Sequence, residues 1–238
     1  GIDPRKDTKL HTVCIGAEPH SEEQRKRIEQ LLGVKAYNCF GMSEMNGPGV
    51  AFECTEQNGL HIWEDNVIVE IIDPVTLQPV PEGEVGELVL TTINREAMPL
   101  LRYRTRDLTC ILPGDCPCGR THKRLARFKG RSDDMIILKG VNLFPIQIEK
   151  ILMQFKELGS NYLITLETIG NSDEMLIEVE LSDLFTDDYS ALQRLTKGIT
   201  RQLKDELLLT PRIKLVAKGS LPTTDGKAVR VKDHRKLC

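Results

Sequence analysis

The chain has 238 residues, is 40% apolar and 28% charged, and carries a net charge of −3. That length suits one large domain or two small ones, and the balance is that of a soluble globular protein with no bulk positive charge for nucleic acid. No apolar run approaches the length of a membrane span, and the start Gly-Ile-Asp-Pro-Arg-Lys-Asp is not a signal peptide. The seven cysteines, an odd number in a long charged chain, argue against a disulfide framework and for a reducing cytoplasm.

Thr12 to Gly16 is a short apolar run that ends in Gly16-Ala17-Glu18-Pro19. Ser21 suits a helix cap, Glu22 and Glu23 the first turn, and Ile28, Leu31 and Leu32 give an apolar stripe that Gly33 ends. Val34 to Tyr37 begins a second strand, so the start reads as a strand–helix–strand unit of an α/β layer. Such sheets bind ligands at the carboxyl ends of their strands. Two expected strand ends carry suggestive residues: Gly16-Ala17-Glu18, and the run from Tyr37 and Asn38 to Ser43 and Glu44.

From about Gly47 the pattern changes. Val67 to Ile72 is β-branched but for Glu70, Asp73 to Thr76 is a turn, and Glu82 to Glu87 leads into Leu88-Val89-Leu90. These signals predict a small barrel or sandwich over residues 47–132, after an α/β part over 1–46.

Gly130-Arg131-Ser132-Asp133-Asp134 is polar and precedes the apolar Met135 to Leu138; Lys139-Gly140 breaks that run before Val141 to Phe144. Asp133 and Asp134, where two patterns meet, read on pattern alone more readily as an ordinary turn between strands than as a hinge, though exposed polar residues at an element end also suit a hinge. A helix over Ile146 to Leu158 follows, then strands over Tyr162 to Glu167 and Glu174 to Leu181. A long amphipathic helix over Tyr189 to Leu208, a strand over Ile213 to Val216 and a polar loop from Leu221 to Lys227 complete the chain. Residues 133–238 therefore read as a smaller α+β domain.

Taken singly, the chemical groups leave alternatives open. Ser43-Glu44 reads as a helix start, or as a hydroxyl beside a carboxylate that holds Mg²⁺ against phosphate. Asp107, among Arg102, Arg104 and Arg106, reads as a salt-bridge acid or as an acceptor for ribose hydroxyls. Lys227 reads as a solvated lysine, or as a cation delivered to a developing negative charge.

Their order is more specific. The runs Tyr37 to Glu44, Gly86-Glu87-Leu88, Tyr103 to Asp107, Gly130 to Asp134, Lys139 to Asn142 and Gly226-Lys227 together resemble the adenylate-forming superfamily of acyl-CoA synthetases. Trp63-Glu64-Asp65 and Arg95 to Pro99 are similar to its phenylacetate–CoA ligase branch. The resemblance implies attack of an aryl acid on ATP to give an acyl-adenylate, then transfer of the acyl group to coenzyme A. It implies that Gly16, Ala17, Glu18, Tyr37 and Asn38 line the adenine pocket, and that Ser43 sits by the phosphate. Glu44 would hold Mg²⁺, Asp107 the ribose, and Arg131 the ribose or phosphate. Asp133 or Asp134 would be the hinge of a mobile C-terminal domain, Lys139 and Gly140 would border the pantetheine channel, and Lys227 would bridge the acid and the α-phosphate. Family members often form dimers, so a homodimer is expected.

The family's Ser/Thr/Gly-rich phosphate loop does not occur here. The expectation is a C-terminal portion of a longer ligase, unable by itself to form acyl-adenylate at a useful rate. Readings outside that expectation are a relative acting on another aryl acid, or a non-catalytic nucleotide-binding or zinc-stabilised module.

The cysteines supply a second feature. Cys116-Pro117-Cys118-Gly119 is a turn that presents two thiolates, and zinc needs about four ligands. Cys54 and His61 flank a hairpin with Asn58-Gly59 as its expected turn. The four suit a structural zinc site, with Cys110 and His122 in reserve; two unrelated pairs of residues are the bland alternative, since the spacing matches no standard zinc pattern.

Overall fold

The computed structural model describes residues 3–45, 47–183, 189–222 and 228–235. The chain forms two compact units, one of residues 1–19 and 25–133, the other of residues 20–24 and 134–238.

The first unit opens with a short helix, α1 (Pro4–Asp7), capped by Asp3, whose carboxylate accepts the Arg5 N–H at 3.2 Å. Strand β1 (Thr12–Ile15), helix α2 (Glu22–Leu32), whose residues 22–24 count with the second unit, and strand β2 (Lys35–Met42) follow in the expected strand–helix–strand order. The two strands are parallel, with Cys14 opposite Tyr37 and Ile15 opposite Asn38. Ser21 Oγ accepts the Gln24 N–H at 3.2 Å at the start of α2, and Gly33 ends it at φ +69.

A 3₁₀ turn (Ser43–Met45) leads into β3 (Gly47–Glu53), β4 (Leu60–Ile62), β5 (Val67–Ile72), β6 (Gly86–Thr92) and β7 (Tyr103–Thr109). Three two-residue strands follow: β8 (Ile111–Leu112), β9 (Arg124–Leu125) and β10 (Gly130–Arg131). They build a six-stranded sheet, β1-β2-β3-β4-β9-β8, and a four-stranded sheet, β10-β7-β6-β5. Val50, Leu60, Ile62 and Leu125 of the first pack with Val67, Ile71, Leu88 and Leu90 of the second in one buried cluster. The sandwich half of the barrel-or-sandwich expectation fits this packing, and no closed barrel forms among the described residues. The reason lies in β2. It runs on past Asn38 and pairs antiparallel with β3, Cys39 opposite Phe52 and Phe40 opposite Ala51. One sheet thus continues through the change of pattern at Gly47, with β1 and β8 as its outer strands among the described residues.

The second unit starts with a hairpin of β11 (Ile136–Leu138) and β12 (Val141–Leu143). Its two-residue turn has Lys139 at φ +50 and Gly140 at φ +80, the positive pair that a right-twisted two-residue hairpin requires. Helix α3 (Pro145–Leu152) carries proline in its first turn, where no backbone donor is lost. It stops short of the expected Leu158, because Leu158 is buried at the start of a long strand opposite Leu181.

That strand, β13 (Leu158–Ile169), pairs with β14 (Ser172–Leu181); α4 (Tyr189–Leu207), β15 (Arg212–Val216) and β16 (Val231–Asp233) follow. The sheet order is β15-β14-β13-β16. Leu195, Ile199 and Leu203 recur every four residues along α4 and meet Ile148, Ile151, Leu152, Ile164, Ile177 and Val179 in the core. Burying such a side chain contributes about 1.5–3 kcal/mol relative to leaving it exposed. Among the described residues, no helix is long and apolar enough to cross a membrane.

Candidate active site

Gly16, Ala17 and Glu18 follow β1 at its carboxyl end. A Cβ on Gly16 would stand 2.5 Å from the Cys39 carbonyl oxygen and 2.6 Å from its Sγ, so glycine is what lets this loop leave close against β2. Ala17 is left-handed at φ +68. Tyr37 and Asn38 do not end a strand; they lie inside β2, next to Cys14 and Ile15, because pairing with β3 prolongs that strand to Met42. Asn38 is buried, and its backbone N–H donates to Glu53 Oε2 at 2.7 Å. Ser43 and Glu44 are exposed on the 3₁₀ turn, where the Arg95 guanidinium donates to the Glu44 carbonyl.

Asp107 on β7 stands opposite Arg131 on β10. Arg131 Nη1 lies 3.9 Å from Asp107 Oδ1 and donates to the Thr105 carbonyl at 3.2 Å. Its Nε and Nη2 donate to the two carboxylate oxygens of Asp133, at 2.9 Å each. These hydrogen bonds hold the Asp133 carboxyl below its ordinary range. Asp107 thus sits beside a guanidinium whose orientation is fixed from two other sides.

Glu87 on β6 is fully buried and belongs to the same neighbourhood. Ser132 Oγ donates to it at 3.3 Å, Arg104 binds it through two nitrogens, and Arg106 approaches to 3.8 Å. Burial pushes its carboxyl up, but the Arg104 hydrogen bonds and the two arginine charges outweigh burial and hold it below its usual value. Glu87 has no role among the expected site residues, although a lone acid in the run Gly86 to Leu90 is itself a signal: a buried charge has to be paired.

Asp133 ends the first unit and Asp134 begins the second part of the other. Lys139 and Gly140 form the β11–β12 turn, and Lys139 Nζ is paired with Glu174 at 2.9 Å. Lys227 and Gly226 lie outside the described residues, as does Cys238.

Cys54, His61, Cys116 and Cys118 come together in the first unit, with their ligand atoms all within 4.8 Å of one another. Burial raises the Cys54 thiol to about 11, while the Arg120 backbone N–H helps lower Cys118 to about 7, so Cys118 ionises first. Burial also lowers the His61 imidazole, which favours its neutral form. Cys110 and His122 are not in the group; the His122 ring stacks edge-on with Trp63, with centroids 6.2 Å apart.

The sequence profile described as "AMP-binding enzyme" matches residues 3–94, and the one described as "AMP-binding enzyme C-terminal domain" matches residues 140–235. The phenylacetate-coenzyme A ligase of Pseudomonas putida is 44% identical over 99% of this chain and 53% of its own length. That of Thermus thermophilus is 41% identical over 99% of this chain and 56% of its own. The chain belongs to the AMP-binding, adenylate-forming family. A solved family member, 2-hydroxyisobutyryl-CoA ligase in the postadenylation state with an acyl-AMP, superposes with a TM-score of 0.90 at 31% identity, over 98% of this chain and 50% of its own. The chain spans about half the length of the curated relatives it matches.

Proposed function

We propose that the protein carrying this chain activates an aryl acid, phenylacetate first, as its coenzyme A thioester. In the first step the acid carboxylate attacks the α-phosphorus of ATP, forming the acyl–phosphate bond and releasing pyrophosphate. In the second the thiolate of coenzyme A attacks the acyl carbonyl and AMP leaves. The observation that carries this reading is the Asp107–Arg131 pair, a carboxylate and a guanidinium on adjoining strands, in a chain whose curated relatives are named phenylacetate-coenzyme A ligases.

On this reading, Asp107 accepts the ribose hydroxyls, and Arg131, oriented by Thr105 and Asp133, supports the ribose or phosphate beside it. Gly16, Ala17 and Glu18, with Tyr37 and Asn38, border the adenine. The Ser43 hydroxyl donates to a phosphate oxygen. Glu44 fits a magnesium site, being an exposed carboxylate on a turn, and Mg²⁺ uses one or two carboxylates together with substrate phosphates. Mg²⁺ there would neutralise phosphate charge. Lys227 stabilises charge that builds up as the acid attacks. Asp133 and Asp134 form the hinge, and Lys139 and Gly140 border the pantetheine arm in the second step. Six cysteines among the described residues form no disulfide, which suits a reducing cytoplasm.

Phenylacetate-dependent exchange of pyrophosphate into ATP tests the reading. Exchange that requires the acid and falls in Asp107→Ala supports it. Exchange that proceeds equally without any acid, or that Asp107→Ala leaves untouched, refutes it.

A further inference from the structure

We propose that Cys54, His61, Cys116 and Cys118 bind one zinc ion, and that this ion ties two loops of the six-stranded sheet together. The inference does not depend on the ligase reading.

The backbone brings the four residues to one place. Cys54 directly follows β3, and His61 lies in β4 opposite Phe52. Cys116 and Cys118 lie in the loop between β8 and β9, and β9 pairs with β4 so that Arg124 stands opposite His61. The β3–β4 loop precedes Leu60 and the β8–β9 loop joins β9 at Arg124, opposite His61, so the two loops flank the three-residue strand β4 from its two ends. Arg124, itself buried, links them: its guanidinium donates to the Asn58 carbonyl at 2.9 Å and to the Gly114 and Asp115 carbonyls at 3.0 and 3.3 Å.

The spacing is that of ligands around a metal rather than of a bonded pair. Cys54 Sγ and Cys116 Sγ are 3.6 Å apart, and Cys118 Sγ is 3.4 Å from His61 Nε2. A disulfide would place two sulfurs about 2.05 Å apart. A tetrahedral zinc with bonds of about 2.3 Å to sulfur and about 2.1 Å to nitrogen sets edges of about 3.8 and 3.6 Å. These two separations lie within a few tenths of an ångström of those edges, and the four ligand atoms all lie within 4.8 Å of one another.

The surroundings suit the ligands as well. His61 Nδ1 is 3.3 Å from the His122 carbonyl, a contact that places the ring proton on Nδ1 and leaves Nε2 free to ligate. Gly119, at φ +78, donates its N–H to the Cys116 carbonyl at 3.0 Å and closes the turn that carries both thiols. A dication with three thiolates keeps one negative charge, and the Arg120 side chain is hydrogen-bonded to Cys118 to meet it. Three thiolates and an imidazole are soft and borderline donors, which select zinc over magnesium or calcium. Four protein ligands leave no open position, so the ion is structural. It holds the Cys54–Gly59 loop to the Cys116–Cys118 turn much as a disulfide would.

The test is metal analysis of the reduced protein, purified without chelator, beside Cys118→Ser, Cys116→Ala and the control Cys14→Ser, an exposed thiol on β1. The expected result is about one zinc per chain in the wild type and the control, at least about a tenfold loss in the two ligand variants, and a lower melting temperature after chelation. Where a ligand variant fails to fold, cobalt added to the metal-stripped wild type gives the second measurement: intense visible bands of a tetrahedral thiolate site support the proposal. No zinc in the wild type and no such bands with cobalt overturn it, as does a Cys54–Cys116 disulfide in the freshly purified protein.

Discussion

Arg104 binds Glu87 through two parallel hydrogen bonds, Nε to Oε1 at 2.8 Å and Nη2 to Oε2 at 2.7 Å, around a carboxylate with no exposed surface. The Arg104 side chain keeps 30% of its own exposure, so the pair links the inside of the four-stranded sheet to its face. Ser132, hydrogen-bonded to Glu87 at 3.3 Å, ties this centre to the strand that carries Arg131.

Removing one partner of a buried ion pair leaves the other charge uncompensated, at a cost of about 3–5 kcal/mol. Because Arg104 keeps 30% exposure and water can meet its charge, Glu87→Ala should destabilise the protein by less than that, about 1–3 kcal/mol, measured by denaturant unfolding. A loss below about 1 kcal/mol would mean that the pair does not organise this sheet.

The same carboxylate sets an acid limit. Its folded pKa lies below its ordinary value of 4.5, so the stability it contributes is complete above that value and is lost as pH falls through the folded one. Asp133, held down by Arg131, acts in the same direction. Melting temperature measured against pH should therefore fall on the acid side, and Glu87→Gln should flatten that fall. An unchanged acid limb in the variant would contradict the assignment.

Gly16→Ala places a methyl group 2.5 Å from the Cys39 carbonyl, an oxygen fixed in β2 that cannot rotate away. Overpacking of this kind typically costs about 1–3 kcal/mol. Because the loop that must shift is the one proposed to border adenine, AMP affinity should fall along with stability. Calorimetry of AMP binding checks this; unchanged affinity would move the adenine away from residues 16–18.

The early elements were legible because local signals agreed. Ser21 and Gly33 bracket α2, the apolar stripe of α4 follows its fourfold spacing, and Lys139-Gly140 sits where the β11–β12 turn needs positive φ. The cysteine cluster was legible from residue type and approximate spacing, although Asn58-Gly59 proves to be part of a six-residue loop between β3 and β4 rather than a two-residue turn. Non-local pairings were not legible. Nothing near Val231 announces that β16 will lie parallel to β13, and nothing near Tyr37 shows that β2 will run on into an antiparallel partner. The Asp133–Arg131 and Lys139–Glu174 pairs likewise depend on which carboxylate the fold brings within reach.

Two substitutions should separate binding from chemistry. Asp107→Ala removes acceptors from the proposed ribose site and should weaken nucleotide binding about 10- to 100-fold, the worth of a hydrogen bond to a charged group. Lys227→Ala should instead slow adenylation about 100- to 1,000-fold, as loss of a preorganised transition-state donor does, with little change in AMP affinity. Equal effects of both variants on AMP affinity would contradict the division of roles.

The most direct measurement is thioester formation, followed by mass spectrometry of the product, in the protein carrying this chain with ATP, Mg²⁺, coenzyme A and a panel of aryl acids. Phenylacetyl-CoA and AMP are the expected products, with turnover lost in Lys227→Ala at the adenylation step. A folded protein that forms no thioester with any acid in the panel would contradict it.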